Sequence, residues 1–337
     1  MKFTVDRAVL LKALAHVQSV VERRNTIPIL ANVLLEAAEG RLTLTATDME
    51  IAVVEEITTG VEVTQPGRCT APAATLYEIA RKLGDGLKVE FDQAGGDAPL
   101  GLRAGRYVTS LMVLPVEDFP AMTEGKLPHR FVLPAATLRE LVDRTRFAIS
   151  TEETRYYLNG IYLHVAEGEG GKVLRAVATD GHRLARVEAP LPEGASGPVT
   201  LTSKLIDGTF PEYERVIPKG NDKELKVDRA LFAQAVDRVA AISSERSRPV
   251  KLALGKNQLV LTASSPEQGQ AREELDADAV SYASTPLEIG FQARYLKDIT
   301  DQVQGQVVFR FSDGSAPTIV QDEDKASALY VLMPMRV

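Results

Sequence analysis

One five-residue phrase, Pro-Ala-Ala-Thr-Leu, occurs twice in this chain, at 72–76 and again 62 residues later at 134–138. Each copy begins a stretch with helical apolar periodicity, just after a short apolar run of the kind found in strands. Three more strand-then-helix units begin near Asp6, Asp228 and Gln292. Recurrence of one supersecondary unit predicts a repeat architecture, whose units pair because none can bury its apolar face alone.

The segments after each helix alternate apolar and polar residues between turn signals, which predicts antiparallel strands. Two Phe-Pro phrases, at Phe119-Pro120 and Phe210-Pro211, divide the chain. The sequence therefore predicts an α+β fold with three similar domains, each built from two repeats. Their expected bounds are residues 1–122, 129–211 and 222–337.

The spacing of the helices reveals a shortfall in the middle domain. The helix starts lie 66, 62, 94 and 64 residues apart, and the third interval is too long for one repeat and too short for two. Only one strand-like run, Val199 to Leu205, follows Leu191. We expect this domain to lack part of its second repeat near residues 194–198. Either it is naturally short or a segment is missing; the second is favoured, because half a sheet without its helix would leave apolar surface uncovered.

Composition narrows the function classes. The 337 residues carry a net charge of −7 and a single cysteine, Cys69. One cysteine excludes an internal disulfide framework, and no apolar run is long enough to span a bilayer, so we expect a cytoplasmic protein without membrane contact. Strong adhesion to nucleic acid by overall charge is excluded, because that adhesion depends on Lys and Arg neutralising phosphates. We expect no cofactor and no metal site.

Three longer runs carry a resemblance to a known family. They are Arg155–Gly160, Ala178–Ala185 with the letters ATDGHRLA, and the terminal YVLMPMRV of Tyr330–Val337. The chain closely resembles the bacterial sliding clamp, the beta subunit of DNA polymerase III, over its whole length. The resemblance implies a homodimeric head-to-tail ring that encircles duplex DNA, with helices lining the hole and sheets outside. It implies a processivity factor that tethers the polymerase, the clamp loader and repair proteins through short linear peptides.

The resemblance also implies site residues. The expected peptide groove, floored by apolar residues and rimmed by Arg and His, comprises Leu158, Thr179, Gly181, His182, Arg183, Leu184, Pro211, Arg215, Val216, Val331, Met333, Pro334, Met335 and Arg336. The expected DNA-facing residues are Arg24, Tyr156 and Tyr157. Further charges that either face phosphates or lie on ordinary solvated helix faces are Lys12, Arg81, Arg139, Arg146, Arg238 and Lys297. The dimer interface is expected near Arg106, Leu111, Ile242 and Ser243.

Two other functions are open on the sequence. A peptide-binding adaptor would keep the groove but, with its short middle domain, would not encircle DNA. A hydrolase would use Asp180 and His182 as acid and base. An Asp-x-His pair is a weak signal, and the sequence has no nucleophile elbow, no metal-ligand spacing and no phosphate loop. We therefore expect no enzyme activity.

Overall fold

The computed structural model describes residues 1–21, 27–96, 98–120, 132–191, 199–203, 205–242, 249–324 and 327–336. The chain forms two compact units: the first comprises Met1–Arg130 and Ser196–Leu205, and the second comprises Phe131–Ala195 and Ile206–Val337. No helix in the described parts is long and apolar enough to cross a membrane.

Five α-helices, five short 3₁₀ helices and twenty-two strands make up the described secondary structure. The α-helices are α1 (Arg7–Val17), α2 (Ala73–Lys82), α3 (Ala135–Asp143), α4 (Arg229–Ala240) and α5 (Ala293–Thr300). The strands are β1 (Lys2–Asp6), β2 (Asn32–Ala38), β3 (Arg41–Thr47), β4 (Ile51–Ile57), β5 (Val61–Gln65), β6 (Gly67–Pro72), β7 (Lys88–Asp92), β8 (Leu100–Ala104), β9 (Tyr107–Leu111), β10 (Tyr162–Gly168), β11 (Gly171–Thr179), β12 (Arg183–Pro190), β13 (Val199–Ser203), β14 (Lys223–Asp228), β15 (Pro249–Gly255), β16 (Gln258–Ser265), β17 (Gly269–Leu275), β18 (Val280–Tyr282), β19 (Leu287–Gln292), β20 (Gln306–Phe311), β21 (Thr318–Asp322) and β22 (Ala328–Leu332).

Helix starts agree with the sequence patterns, but the caps differ in detail. Pro72 and Pro134 are the N-caps of α2 and α3, as the two copies of the phrase suggest. Asp228 caps α4 through its side chain, which accepts a hydrogen bond from the Leu231 N–H at 2.9 Å. Asp6 occupies the same place before α1 without making such a bond. The Asp-Arg pair therefore marks both helix starts, although only one carboxylate caps its helix.

The first unit has two five-stranded antiparallel sheets, ordered β5-β1-β7-β8-β9 and β13-β4-β3-β2-β6. Its two repeats exchange strands: β1, before α1, pairs with β7, after α2, and β6, before α2, pairs with β2, after α1. Phe3 and Phe91 stack across one of these pairings with ring centroids 4.7 Å apart. The two helices contact each other over the shared core, where Arg7 Nε donates to the Ala80 carbonyl at 2.7 Å.

The second unit repeats this exchange in its C-terminal part. Strand β14 pairs with β20 and β19 pairs with β15, while α4 and α5 contact each other. One eight-stranded sheet, β10-β11-β12-β22-β21-β20-β14-β18, continues from the middle strands into the C-terminal strands, and a four-stranded sheet is ordered β17-β16-β15-β19. The main buried apolar cluster of this unit includes residues from Leu141 to Leu332.

The middle region holds only half of the repeat pair. Helix α3 contacts β11 and β12, and β10 is an edge strand of the long sheet. Between β12 and β14 the described residues contain one short 3₁₀ helix, Tyr213–Arg215, and no α-helix, which agrees with the shortfall predicted from helix spacing. The strand expected at Val199 to Leu205 forms as β13, but it pairs with β4 of the first unit. Residues 194–198 and the bounds at 122 and 129 lie outside the described residues.

Candidate functional site

The floor of the candidate groove is a row of side chains across neighbouring strands of the second unit. Thr179 on β11 lies opposite Leu184 on β12, and Leu184 lies opposite Val331 on β22. Leu184 and Val331 are 2% exposed and pack with Val177, Tyr213 and Leu329 in a small apolar cluster separate from the main core. Strand pairing thus brings three of the predicted groove residues, Thr179, Leu184 and Val331, side by side.

An open cavity of about 820 Å³ adjoins this cluster, and its lining includes Tyr162, Phe210 and Tyr213. Tyr162 stacks on Phe210 at 5.0 Å and on His164 at 4.4 Å, measured between ring centroids. Pro211 and Arg215, two predicted residues, line the same cavity. The aromatic residues were not predicted. Phe210 stood in a Phe-Pro phrase interpreted only as a domain boundary, and that phrase was the available signal.

A polar network holds one wall of the cavity in place. Arg175 Nη1 donates to the Tyr213 hydroxyl at 2.9 Å and to Glu214 at 2.9 Å, while its Nε donates to Glu188 at 2.9 Å. His164 Nε2 lies 3.0 Å from the same hydroxyl. Burial and then the nearby Arg175 charge lower the pKa of His164, and burial raises the pKa of Tyr213. The wall therefore contains a neutral imidazole and a neutral phenol at pH 7.

The turn after β11 contains Asp180 and His182, the two residues considered above as the acid and base of a hydrolase. The Asp180 carboxylate accepts hydrogen bonds from the backbone N–H groups of His182 and Arg183, at 2.9 and 3.0 Å. Gly181, which lies between Asp180 and His182, has φ +88°. A Cβ at this position would lie 2.8 Å from Arg155 Nη1. The His182 ring stacks instead on Tyr295, with centroids 6.3 Å apart. Asp180 therefore shapes the turn, and its carboxylate is engaged with backbone and Arg183.

Arg183 was expected among the charged residues of the groove, and its side chain is buried in this structure. Its Nε donates to Asp180 and its Nη1 to Asp298 on α5. The guanidinium also lies over the Tyr295 ring at 4.4 Å and the Phe147 ring at 5.3 Å. Two carboxylates and two rings compensate its desolvation, so Arg183 joins β12 to α5 rather than facing a ligand.

The remaining predicted groove residues separate into two groups. Met333, which is 39% exposed, donates its N–H to the His182 carbonyl at 2.9 Å, and Val216 is exposed after Tyr213. Leu158 is buried, and its carbonyl accepts from the Ser150 N–H. Met335 donates its N–H to the Gly290 carbonyl, and a second cavity of about 580 Å³ is lined by Pro334, Met335 and Arg336.

The predicted DNA-facing residues are only partly described. Tyr156 is 55% exposed and meets Tyr157 edge to face, with centroids 5.9 Å apart. Arg24 lies outside the described residues. Of the six helix charges, Lys12 is exposed, and five have acidic partners. These pairs are Arg81–Glu78, Arg139–Asp143, Arg146–Asp143, Arg238–Glu273 and Lys297–Asp237.

The predicted dimer residues lie at or near sheet edges. Strand β9 is the edge of its sheet and exposes Tyr107, Val108 and, just beyond, Met112. Arg106 is exposed in the turn before β9, whereas Leu111 is buried in the core of the first unit. Ile242 is half-buried after α4, and Ser243 lies outside the described residues. The second unit has an edge strand that sequence reasoning missed, β17, because strand order depends on long-range pairing.

Fold and site together define a three-domain protein of paired repeats. Family models of the DNA polymerase III beta subunit match the N-terminal domain over residues 1–123, the central domain over 132–198 and the C-terminal domain over 214–336. The chain therefore belongs to the bacterial beta sliding clamp family, whose members are non-catalytic processivity factors of DNA replication.

Relatives match over their full length. The beta sliding clamp of Caulobacter vibrioides is 49% identical and that of Escherichia coli 37% identical, each with 100% of both chains covered. The first alignment spans 377 positions against 337 residues here, so at least 40 positions have no residue in this chain. Together with the short central match, this agrees with the shortfall predicted for the middle domain, which stays a prediction.

Solved clamps share the fold. The Caulobacter crescentus clamp has a TM-score of 0.91 at 48% identity. A Bartonella birtlesii clamp bound to griselimycin has a TM-score of 0.93 at 43% identity, and both comparisons cover 100% of each chain. The expected clamp fold is thus confirmed.

Proposed function

We propose that this chain forms a homodimeric ring in the cytoplasm that encircles duplex DNA, slides along it and tethers replication and repair proteins through a peptide groove. The observation that carries the proposal is the full-length match to sliding clamps at up to 49% identity. The chain itself performs no chemistry. Its role is to keep a polymerase close to DNA after each release.

The negative net charge of the chain is consistent with a ring that stays on DNA because it encircles it, without tight contacts to the phosphates. With a net charge of −7, the protein has no general electrostatic attraction to phosphates. Most of the helix charges considered for DNA contact are already paired with carboxylates on the surface. Weak, exchangeable contacts from residues such as Arg24, Tyr156 and Tyr157 would allow sliding, whereas tight contacts would impede it.

The head-to-tail contact is assigned to two edge strands. Strand β9 exposes apolar residues at an open edge, where unpaired backbone groups favour addition of another strand. Strand β17 offers a second open edge, at the end of the four-stranded sheet of the second unit. A pairing of β9 with β17 of another copy is heterologous, so two such contacts would close a ring of two.

The peptide site is assigned to the apolar row at Leu184 and Val331 and to the aromatic cavity beside it. Apolar side chains of a short peptide would enter the cavity, while exposed Met333 and Val216 would adapt to different partners. Clamps from Bartonella birtlesii and Pseudomonas aeruginosa have been crystallised with griselimycin. Griselimycin is therefore a suitable probe for this site.

The adaptor alternative is not favoured. Its motivation was the short middle domain, yet the N-terminal and C-terminal domains match the family over 123 residues each. Both edge strands assigned to the ring contact lie in those two domains. The hydrolase alternative fails because the Asp180 carboxylate is occupied by two backbone N–H groups and Arg183.

Retention on DNA tests the ring. The protein is loaded on nicked circular DNA with the cognate clamp loader and ATP, and the circle is then cut with a restriction enzyme. The proposal expects the protein to stay on circles and to leave linear DNA. Equal retention on both forms would show that it holds DNA by contact, and retention on neither would overturn the ring.

A binding measurement tests the groove separately. Val216→Asp places a charge at the exposed rim, and Leu231→Asp, at an exposed leucine on α4, is the matched control. We expect Val216→Asp to weaken griselimycin binding by about tenfold or more in calorimetry, because an apolar contact would be replaced by a desolvated charge. Equal affinities for the two variants would place the site elsewhere.

A further inference from the structure

Helix α3 differs from the other four helices in the exposure of two equivalent positions. The residues four and eight positions after the N-cap are at most 1% exposed in α1, α2, α4 and α5. In α4, for example, they are Phe232 and Val236. In α3 they are Leu138 and Val142, which are 39% and 37% exposed. The apolar positions of α3 thus call for a covering surface that the described residues of the second unit do not supply.

The edge strand β10 also exposes apolar side chains on the face that points to the core. Leu163 and Val165 lie opposite Ala176 and Leu174 of β11, so they share the face that points to the core. Their β11 partners are buried, yet Leu163 is 41% and Val165 is 55% exposed. Leu138, Val142, Leu163 and Val165 together form what we name the open face. An apolar surface on both a helix and a strand edge is typical of an interface.

The two complete repeat pairs show what covers such a face. In each, the strand before one helix pairs with the first strand after the other helix, as in β1 with β7 and β6 with β2. The two helices also pack together. This reciprocal exchange relates the two repeats of a pair by an approximate two-fold axis, so a repeat lacking its partner is complementary to another repeat of its own kind.

We propose that a second copy of this chain covers the open face through a two-fold contact. Helix α3 packs antiparallel on α3 of the other copy, and residues 132–134 of each copy extend along β10 of the other. The contact completes one repeat pair from two half-domains. It goes beyond the ring, since it uses neither β9 nor β17.

Charge complementarity supports this occupant. In the complete pair, Lys297 of α5 and Asp237 of α4 form an ion pair at 2.6 Å. These residues stand five and nine positions after their N-caps. Helix α3 carries Arg139 and Asp143 at these same two positions, so two antiparallel copies would form two such pairs. In a single copy, Arg139 pairs with Asp143 along its own helix at 3.2 Å, and Asp143 also pairs with the nearby Arg146 at 3.4 Å; Arg139 is exposed and Asp143 is half-buried.

Cross-linking at Val142 tests the proximity of two α3 helices. Packed helices lie about 8–10 Å apart, within reach of a short bis-maleimide. The variant V142C in the full chain is therefore expected to give a covalent dimer. The native Cys69 is buried and its pKa is raised to about 12 by burial, so it remains unreactive. The matched control is L231C, at a similarly exposed leucine of α4.

A charge exchange makes the test specific to this contact. V142C combined with R139E, or with D143R, places like charges opposite each other and is expected to lower cross-linking on the order of tenfold. Mixing the two double variants restores both opposite-charge pairs and the cross-link. Cross-linking equal to that of L231C would overturn the proposal, as would a V142C cross-link insensitive to either charge reversal. Failure of the ring would appear instead in DNA retention, which this experiment does not measure.

Discussion

Arg183 on β12 and Asp298 on α5 are 115 positions apart in the sequence, and their side chains form a hydrogen bond of 2.5 Å from Nη1 to Oδ2. The bond connects a strand of the middle domain to a helix of the C-terminal domain inside the second unit. Because Arg183 is buried, each of its partners contributes to compensating one desolvated charge. The turn between β11 and β12, beside the candidate groove, is therefore connected to α5 through this hydrogen bond.

Replacement of Asp298 should destabilise the second unit. Asp298→Ala removes one charged acceptor while Asp180 and the aromatic rings remain, so we expect a loss of about 1.5–3 kcal/mol in the free energy of unfolding. Asp301→Ala, at the exposed end of the same helix, should change it by less than about 0.5 kcal/mol. Urea unfolding measures both. Equal losses would show that the Arg183 bond contributes nothing specific.

Gly181 should be required by the conformation of the turn. Gly181→Ala introduces a Cβ at φ +88° and within 2.8 Å of Arg155 Nη1, so we expect a cost of about 1–3 kcal/mol. Griselimycin affinity should fall as the turn shifts. Gly170→Ala has open space and no left-handed φ, and it should be neutral. Thermal unfolding of the two variants compares them, and an unchanged Gly181→Ala would contradict the strain.

Stability should depend on pH through His164. Its folded pKa is lowered from the ordinary value of 6.5, so the folded state binds the proton less readily than the unfolded chain. The stabilising contribution is therefore complete above about pH 6.5 and is lost as pH falls through the lowered pKa. His164→Gln should show a smaller loss of stability between pH 7 and pH 5 than wild type. Parallel losses would mean that His164 does not titrate differently on unfolding.

The open edge of β9 should be required for retention on DNA. Val108→Lys places a charge on the exposed edge, where natural sheets use lysine to prevent strand addition. We expect the lifetime on circular DNA to fall by about tenfold or more. Thr59→Lys, in the exposed turn after β4, is the control for added charge. Normal retention by Val108→Lys would remove β9 from the ring contact.

Sequence patterns predicted what depends on local chemistry. Apolar periodicity and the Pro72 and Pro134 caps located the helices, and helix spacing exposed the shortened middle domain. The strand with which β13 pairs was not predictable, because its partner β4 is far away in the sequence. Burial of Arg183 was also missed, since its acceptor Asp298 and the Tyr295 ring come from a distant helix. The Tyr162 and Phe210 stack shows the same limitation.

The pairing of β13 with β4 has a consequence during synthesis. The remainder of the first unit is complete by Arg130, but the strand that covers the edge of β4 ends at Ser203. At ribosomal rates of about 5–20 residues per second, the 73 residues from Arg130 to Ser203 keep the edge of β4 open for roughly 4–15 s after the rest of the first unit has been synthesised. During that interval, neighbouring nascent chains on a polysome compete with β13 for the same backbone groups. Slowing translation between these points would lengthen that exposure, and early termination before Ser203 would make it permanent.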